Sequence, residues 1–353
     1  MVRLKDIAER AGVSVMTVSK VLRDARDISV ATKKRIRALA QQMGYVPDSL
    51  AQGLRTRTTK LFGLVISAMT NPIFARVVMA IEERAHEMGY EVILSHTLNL
   101  PEREDTAIRR LISRRVDGLF ITPVYRLGAE APIYQELQRC GIPTVILGHL
   151  APFCSEFVNV ETDDLQASGA ATGYLLELGH KQIAFFAGPA VSPWAQERFE
   201  GYRRALRESD IDVDDRLVFN AGSTIEEGEK AALQMLNEHP HATAVLAVND
   251  LVAIGAATVF LSQGIKIPED LSLVGFGNVL ISEHFRVPLT TVRQPKYRLG
   301  VAAMNSMLKL LRGERPESKR LTAEIIVRAS TAAPATVRRV QKNPVETTEI
   351  NSP

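Results

Sequence analysis

The sequence predicts an all-α three-helix unit at the N-terminus and a larger α/β core of two lobes with parallel sheets. Three observations predict this. Residues 3–22, RLKDIAERAGVSVMTVSKVL, carry two short apolar periodicities broken at Gly12. From Leu61 onward short apolar runs alternate with helix-length amphipathic segments, the pattern of strands and crossover helices in a parallel sheet. Charge divides at the same place: residues 1–60 hold 13 Lys/Arg against 5 Asp/Glu, a net of +8, and the remainder 30 against 35, a net of −5.

In the first helix Leu4, Ile7, Ala8 and Ala11 recur at i, i+3, i+4 and i+7, which lines one face with apolar groups. Gly12 can take the left-handed conformation that ends this helix, and Ser14 can accept from the free N–H groups that open the next. In the second helix the 100° rotation per residue places Val18, Val21, Leu22 and Ala25 on one arc, which packs. Val15, Met16, Ser19, Lys20 and Arg23 fall on the other, which is free to touch a partner. Ser29 caps a third helix whose Ile36, Leu39, Ala40 and Met43 repeat the spacing until Gly44 and Pro47 stop it. Fewer than fifty residues bury little surface, so the unit's stability should be modest. Its positive charge marks a candidate polyanion surface.

In the core, LFGLVIS (61–67), EVILSH (91–96), GLFIT (118–122) and TVIL (144–147) read as one series of strands. QIAFFA (182–187), DRLVFN (215–220), ATAVLAV (242–248) and LSLVG (271–275) read as a second, entered near Asn159–Asp163. Two series imply two similar lobes with a cleft, and in open parallel sheets the ligand sits beyond the carboxyl ends of the strands.

The composition, 46% hydrophobic and 24% charged over 353 residues, is that of a globular chain with two or three domains. No apolar h-region follows Met1 and no run is long enough to cross a bilayer, so the cytoplasm is expected and a membrane partner is not. Cys140 and Cys154 lack C-x-x-C spacing and read as reduced structural thiols. No G-x-S-x-G, Walker A or H-E-x-x-H occurs, His149 and His180 read as loop residues, and neither an enzyme, a metal site nor a cofactor is expected.

The run LKDIAERAGVSVMTVSKVL, then ISVATKKRI and MGYVPDSLAQGL, resembles the DNA-binding headpiece of the LacI/GalR family of bacterial transcription regulators. The D-I-A-x-x-A-G-V-S-x-x-T-V-S order, the G-Y-x-P punctuation and the following segment all fall in sequence, and the likeness extends to about residue 333. It implies a helix-turn-helix headpiece over 1–47, a hinge helix over 48–59 and a periplasmic-binding-protein-like core over 60–333. The implied N-lobe spans about 60–160 and 293–319, and the C-lobe about 161–292 and 320–333. The chain would cross near 160, 292 and 320, with the helix from Tyr297 to Leu311 in the first lobe and a strand near 321–328 in the second. Residues 334–353 are polar, proline-punctuated and free of leucine heptads, and are expected to be a disordered tail.

The resemblance places DNA contacts on Leu4, Ser14, Val15, Met16, Thr17, Ser19, Lys20, Arg23, Thr32, Ala51, Leu54 and Arg55. Leu54 would pry apart a base step from the minor groove and kink the duplex. Base reading would fall on Val15, Met16 and Lys20. The first two are apolar, suited at most to a thymine methyl, and only Lys20 suits guanine. A single headpiece covers few base pairs, so a homodimer on a palindromic double-stranded operator is implied.

The implied effector contacts are Phe74, Ser192, Trp194, Arg198, Ser223, Asn249, Asp250, Gly277 and Asn278. Phe74 fits core as readily as pocket, Asp250 fits a helix N-cap, and Arg198 fits a surface ion pair. Many sugar-sensing relatives carry an aspartate just after the G-[YF] ending a late strand; here VGFGN puts Gly277 there, with Asn278 next. A small residue enlarges the pocket or admits a ligand carboxylate, so sugar acids stand beside sugars as expected effectors. The expected function is a DNA-binding repressor on the bacterial nucleoid, controlled allosterically by a small molecule. A two-lobed solute-binding protein is the alternative, and it would need an export signal.

Overall fold

The computed structural model describes residues 2–46, 58–128, 130–238 and 241–335. The chain divides into two compact units, Met1–Thr59 and Lys60–Pro353.

The first unit is three helices, α1 (Leu4–Ala11), α2 (Val15–Leu22) and α3 (Val30–Gln42). Gly12 closes α1 at φ 65°, where a side chain would be strained, and the Ser14 hydroxyl caps α2 by accepting from Thr17 N at 3.1 Å. Ser29 does the same for α3 through Thr32 N at 3.3 Å. Ile7, Ala8, Val18, Val21, Ile36 and Ala40 form its buried centre.

The second unit holds two six-stranded sheets. The first runs β1 (Leu61–Ile66), α4 (Ile73–Glu87), β2 (Glu91–His96), α5 (Pro101–Ser113), β3 (Gly118–Ile121), α6 (Pro132–Cys140), β4 (Thr144–Leu147) and β5 (Val158–Thr162). The chain then enters the second lobe through α7 (Asp164–Glu177), β6 (Ile183–Ala187), α8 (Pro193–Glu208), β7 (Val218–Asn220), α9 (Ile225–Glu238), β8 (Ala244–Ala247), α10 (Asp250–Ser262), β9 (Ser272–Phe276), α11 (Leu280–His284) and β10 (Thr290–Arg293). It returns to the first lobe with α12 (Lys296–Leu311) and β11 (Lys319–Leu321), and ends in the second with β12 (Glu324–Ile326).

The strand orders are β11-β5-β4-β3-β1-β2 and β12-β10-β9-β8-β6-β7, parallel throughout except that β12 runs antiparallel to β10. Each sheet reverses its winding once, between β1 and β3 and between β6 and β8. The crevice beyond the carboxyl ends of those strands is where such sheets bind ligands.

Four boundaries differ from expectation. The third crossing is at 322–323, because residues 319–321 pair with β5 in the first sheet before Glu324–Ile326 pair with β10. Val158–Thr162 stays in the first sheet and Arg293 in the second, so the other crossings fall a few residues later than 160 and 292. Of DRLVFN only Val218–Asn220 is a strand, since Asp214 caps a 3₁₀ turn over Asp215–Leu217. The expected tail beyond 335 lies outside the described residues.

In the second lobe α7 and α8 pack closely at a pair of glycines. A Cβ on Gly201 would stand 2.3 Å from the Leu165 carbonyl oxygen and 2.9 Å from Gly169 N, with no flexible side chain to yield. Gly201→Ala is expected to destabilise the core by roughly 1–3 kcal/mol, measured by urea unfolding; a change under about 0.5 kcal/mol would refute this packing. In the first unit, Ser14→Ala is expected to cost about 1 kcal/mol of headpiece stability, read by thermal unfolding of that unit.

Candidate functional site

The outward arc of α2 presents Val15 at 44% and Met16 at 62% exposure, so both side chains are free to meet another surface. Thr17 and Ser19 are half-buried, and Arg23 curls back so that its Nε donates to Ser19 O at 2.9 Å. Lys20, the polar candidate reader, is held by Asp27 Oδ2 at 2.5 Å. That pair is exposed, so it is weak and a base edge can compete for the ammonium. Thr32 caps nothing itself but accepts or donates with Ser29 Oγ at 2.8 Å. Leu4 is half-buried against the helical core. Ala51, Leu54 and Arg55 lie outside the described residues.

In the second unit a cavity of about 390 Å³ opens between the lobes, within the range of small-molecule sites. Phe74, Ser192, Trp194, Arg198, Ser223, Asn249, Asp250 and Gly277 all line it. They come from the first turns of α8 after β6, the carboxyl end of β8, the turn after β9, the loop before α9 and the start of α4. Phe74 serves both uses weighed for it, packing on the first-lobe core while facing the cavity.

Arg198 is the most committed of these. Its Nε and Nη2 donate to Asp164 Oδ1 at 3.0 and 2.8 Å, and Nη1 donates to Val248 O at 2.6 Å. The guanidinium carbon lies 3.6 Å from the Phe276 ring centroid and 4.8 Å from that of Trp194, which adds cation–π attraction in a dry site. Burial disfavours both charges of this pair and each is stabilised by the other. Arg198 is therefore a buried ion pair, not a surface one.

Two expectations are corrected. Asn278 does not line the cavity: with φ 48° it turns away, its Oδ1 accepting from Arg328 Nη2 at 2.7 Å. Asp250 is not the cap of α10; Asn249 is, accepting from Val252 N at 2.8 Å while its Nδ2 donates to Ser223 O. Asp250 Oδ2 instead accepts from Val279 N and Ser282 Oγ at 2.8 and 2.7 Å, and Oδ1 from Thr291 Oγ1 at 2.5 Å. That carboxylate braces the 277–282 loop. Lys296 braces the same loop from the other side, its Nζ donating to the Gly277 and Asn278 carbonyls, and burial pushes its pKa down to about 8.

The two histidines read as loop residues are both buried. His180 bonds Thr243 Oγ1 and Ala332 O, tying the chain's return to the second lobe. His149 lines the cavity two residues after β4, with Nε2 at 3.1 Å from Glu197, 3.6 Å from Asp164 and 3.9 Å from Glu161. Glu197 is on α8 of the opposite lobe, and Arg320 of β11 joins it there while also reaching Glu161 and Asp163 at 3.4 and 3.2 Å. His149 and Glu161 sit at the carboxyl ends of first-lobe strands, the one signal that could have marked them. Their grouping needed the fold.

Burial is the largest single influence on His149 and opposes its charge. The hydrogen bond its ring donates to Glu197 and the charges of Asp164, Glu161 and Glu197 together exceed it, so its pKa lies above the ordinary histidine value of 6.5. A raised folded pKa stabilises fully below the unfolded value and is lost as pH rises through the folded one. The core is thus expected to lose stability as pH climbs through the folded pKa of His149, above 6.5, with His149→Gln flattening the slope in urea titrations. A slope unchanged by that substitution would remove the bridge.

The model for bacterial regulatory proteins of the lacI family matches residues 3–48, and that for a periplasmic binding protein-like domain matches 172–331. The HTH-type transcriptional repressor CytR of Escherichia coli (strain K12) is 33% identical over 334 residues, 94% of this chain and 96% of that one. The repressor PurR of Vibrio atlanticus (strain LGP32) is 32% identical over 94% of this chain and 98% of its own. A lac repressor dimer bound to operator and the anti-inducer ONPF superposes with a TM-score of 0.82 at 28% identity, covering 94% and 99% of the two chains. The complex of the regulator CelR with cellobiose gives 0.70 at 29% identity over 94% and 100%. With a basic helix-turn-helix unit and a two-lobed cleft on one chain, and likeness to these repressors over nearly its whole length, the protein belongs to the LacI family of bacterial DNA-binding transcriptional regulators.

Proposed function

We propose that this protein is a repressor that binds a palindromic operator as a homodimer in the bacterial cytoplasm and releases or tightens its grip when a small carbohydrate-like effector occupies the cleft. The observation that carries it is the cleft itself: a cavity of about 390 Å³ lined by Trp194, Arg198 and Asn249, on the same chain as a headpiece whose outward arc carries two exposed apolar side chains. The relatives in complex with operator or cellobiose support both halves.

Charged contacts hold the lobes together across the cleft, His149 and Arg320 from one side and Glu197 from the other. A ligand that favours one lobe arrangement changes operator affinity, and operator changes ligand affinity by the same factor. Leu54 is the proposed minor-groove wedge and Arg198 a proposed effector-binding residue.

Base reading by Val15 and Met16 takes thymine methyl groups. The half-site selected from a random library is expected to hold A·T pairs facing α2, and replacing their thymines by uracil removes one methyl each, weakening binding about fourfold per buried methyl (~0.8 kcal/mol). Equal affinity for the uracil operator would defeat that readout. A fragment of residues 60–353 is expected to keep ligand binding and dimerise while losing operator binding; specific DNA binding by the fragment would sink the proposal.

A further inference from the structure

The seam between the lobes contains a group whose charge changes near neutral pH. His149, just past the carboxyl end of the first-lobe strand β4, holds Nε2 3.1 Å from Glu197 Oε2 on α8 of the second lobe. Around the ring, β5 supplies Glu161 at 3.9 Å and the start of α7 supplies Asp164 at 3.6 Å. Arg198 of α8 pairs with Asp164, and Arg320 of β11 reaches Glu197, Glu161 and Asp163. The loop after β3 adds Tyr125, whose hydroxyl donates to His149 O at 2.8 Å and so holds the backbone, not the ring.

His149 and Arg320 meet the same oxygen, Glu197 Oε2, from the first lobe. The guanidinium keeps its charge at every physiological pH, whereas the imidazole is charged only when protonated. Four carboxylates, Glu161, Asp163, Asp164 and Glu197, face two guanidiniums in this seam. A neutral imidazole therefore leaves two negative charges in excess, and a protonated one leaves a single excess charge. Glu161 of the first lobe and Glu197 of the second then repel each other across the seam, and the neutral ring keeps at most one N–H bond in place of an ion pair.

The distribution of histidines isolates this residue. All seven lie beyond residue 59, so the helical unit has no imidazole to make its own DNA contacts respond to pH. His180 is buried within the second lobe, on Thr243 and Ala332. Lys296 of α12 also links the lobes, through the Gly277 and Asn278 carbonyls, but burial brings its pKa down only to about 8.

We propose that His149 is a proton-operated latch: protonated, it closes the seam on Glu197 beside the permanent Arg320 link, and on losing its proton it frees the lobes to separate, so that hydrogen ion regulates operator binding alongside the cleft ligand. This rests on the reading that the lobe arrangement sets operator affinity. The bridged arrangement holds the proton more tightly than one from which Glu197 has withdrawn. Falling pH therefore favours it, and its advantage is lost as pH rises through its pKa, above 6.5. By reciprocity, operator binding takes up or releases protons according to which arrangement the DNA prefers.

The test uses the full-length protein and two readouts. In the first, histidine ring resonances are followed by NMR across neutral pH, with His149 assigned by its loss in His149→Gln. Its midpoint is expected to fall in Glu197→Gln, which keeps the shape of the partner but not its charge; an unmoved midpoint overturns the latch. In the second, affinity for the duplex selected from a random library is measured by fluorescence anisotropy at constant ionic strength. Wild-type affinity is expected to change about fivefold between roughly pH 6 and 7.5, and both His149→Gln and Glu197→Gln to flatten that change. Equal pH dependence in wild type and both variants overturns the proposal. A protein that selects a palindromic duplex yet fails either readout refutes the latch alone. One that selects no such duplex refutes the regulatory reading, and with it the latch's control of operator binding.

Discussion

The guanidinium of Arg198 is the constraint around which the second lobe is arranged at the cleft. One side chain on α8 reaches the first residue of α7 at Asp164, the carbonyl after β8 at Val248, and the Phe276 ring at the end of β9. Buried charges are costly unless every donor finds a partner. Satisfying this one therefore fixes two helices and two strand ends at once. Removing either charged partner of such a buried pair typically costs about 3–5 kcal/mol, which is why it organises the site as well as stabilising it.

Around that fixed point the cleft is built from contacts of two kinds. The second-lobe wall is braced from within: Asp250 holds Val279 N and the Ser282 hydroxyl, and Asn249 caps α10 while holding Ser223. The contacts that cross between lobes include charged ones, among them Lys296 of α12 on the Gly277 and Asn278 carbonyls. His149 and Arg320 meet Glu197, with Asp163, Asp164 and Glu161 close by. Such contacts are directional and exchangeable, unlike a packed apolar seam, and suit a joint whose two arrangements must differ by only a few kcal/mol.

The helical unit was legible almost residue by residue. Its apolar spacing, the Gly12 break and the Ser14 and Ser29 caps are local devices, and α1, α2 and α3 follow from them. Most strands of the core were legible for the same reason, as short apolar runs between helix-length segments. The late, short strands over Lys319–Leu321 and Glu324–Ile326 were not separable, because three-residue strands of mixed character carry no period and only their pairing partners tell them apart. In the cleft, the family resemblance pointed to Trp194, Arg198 and Asn249, and all three line the cavity. Nothing local distinguished Asn278, which turns to Arg328, from Gly277, which lines the wall.

What the sequence by itself determined was whatever depends on near neighbours: the helices and their caps, the alternation that demands two parallel sheets, the basic N-terminal unit, and the family likeness carried by contiguous motifs. What only the tertiary structure decided was the electrostatics of the cleft. Whether Arg198 is available to a ligand acid depends on Asp164, 34 residues away, and whether His149 is a loop residue or a bridge depends on Glu197 across the cleft. Hydrogen bonding and burial are properties of assembled neighbours, and the sequence lists side chains without saying which of them meet.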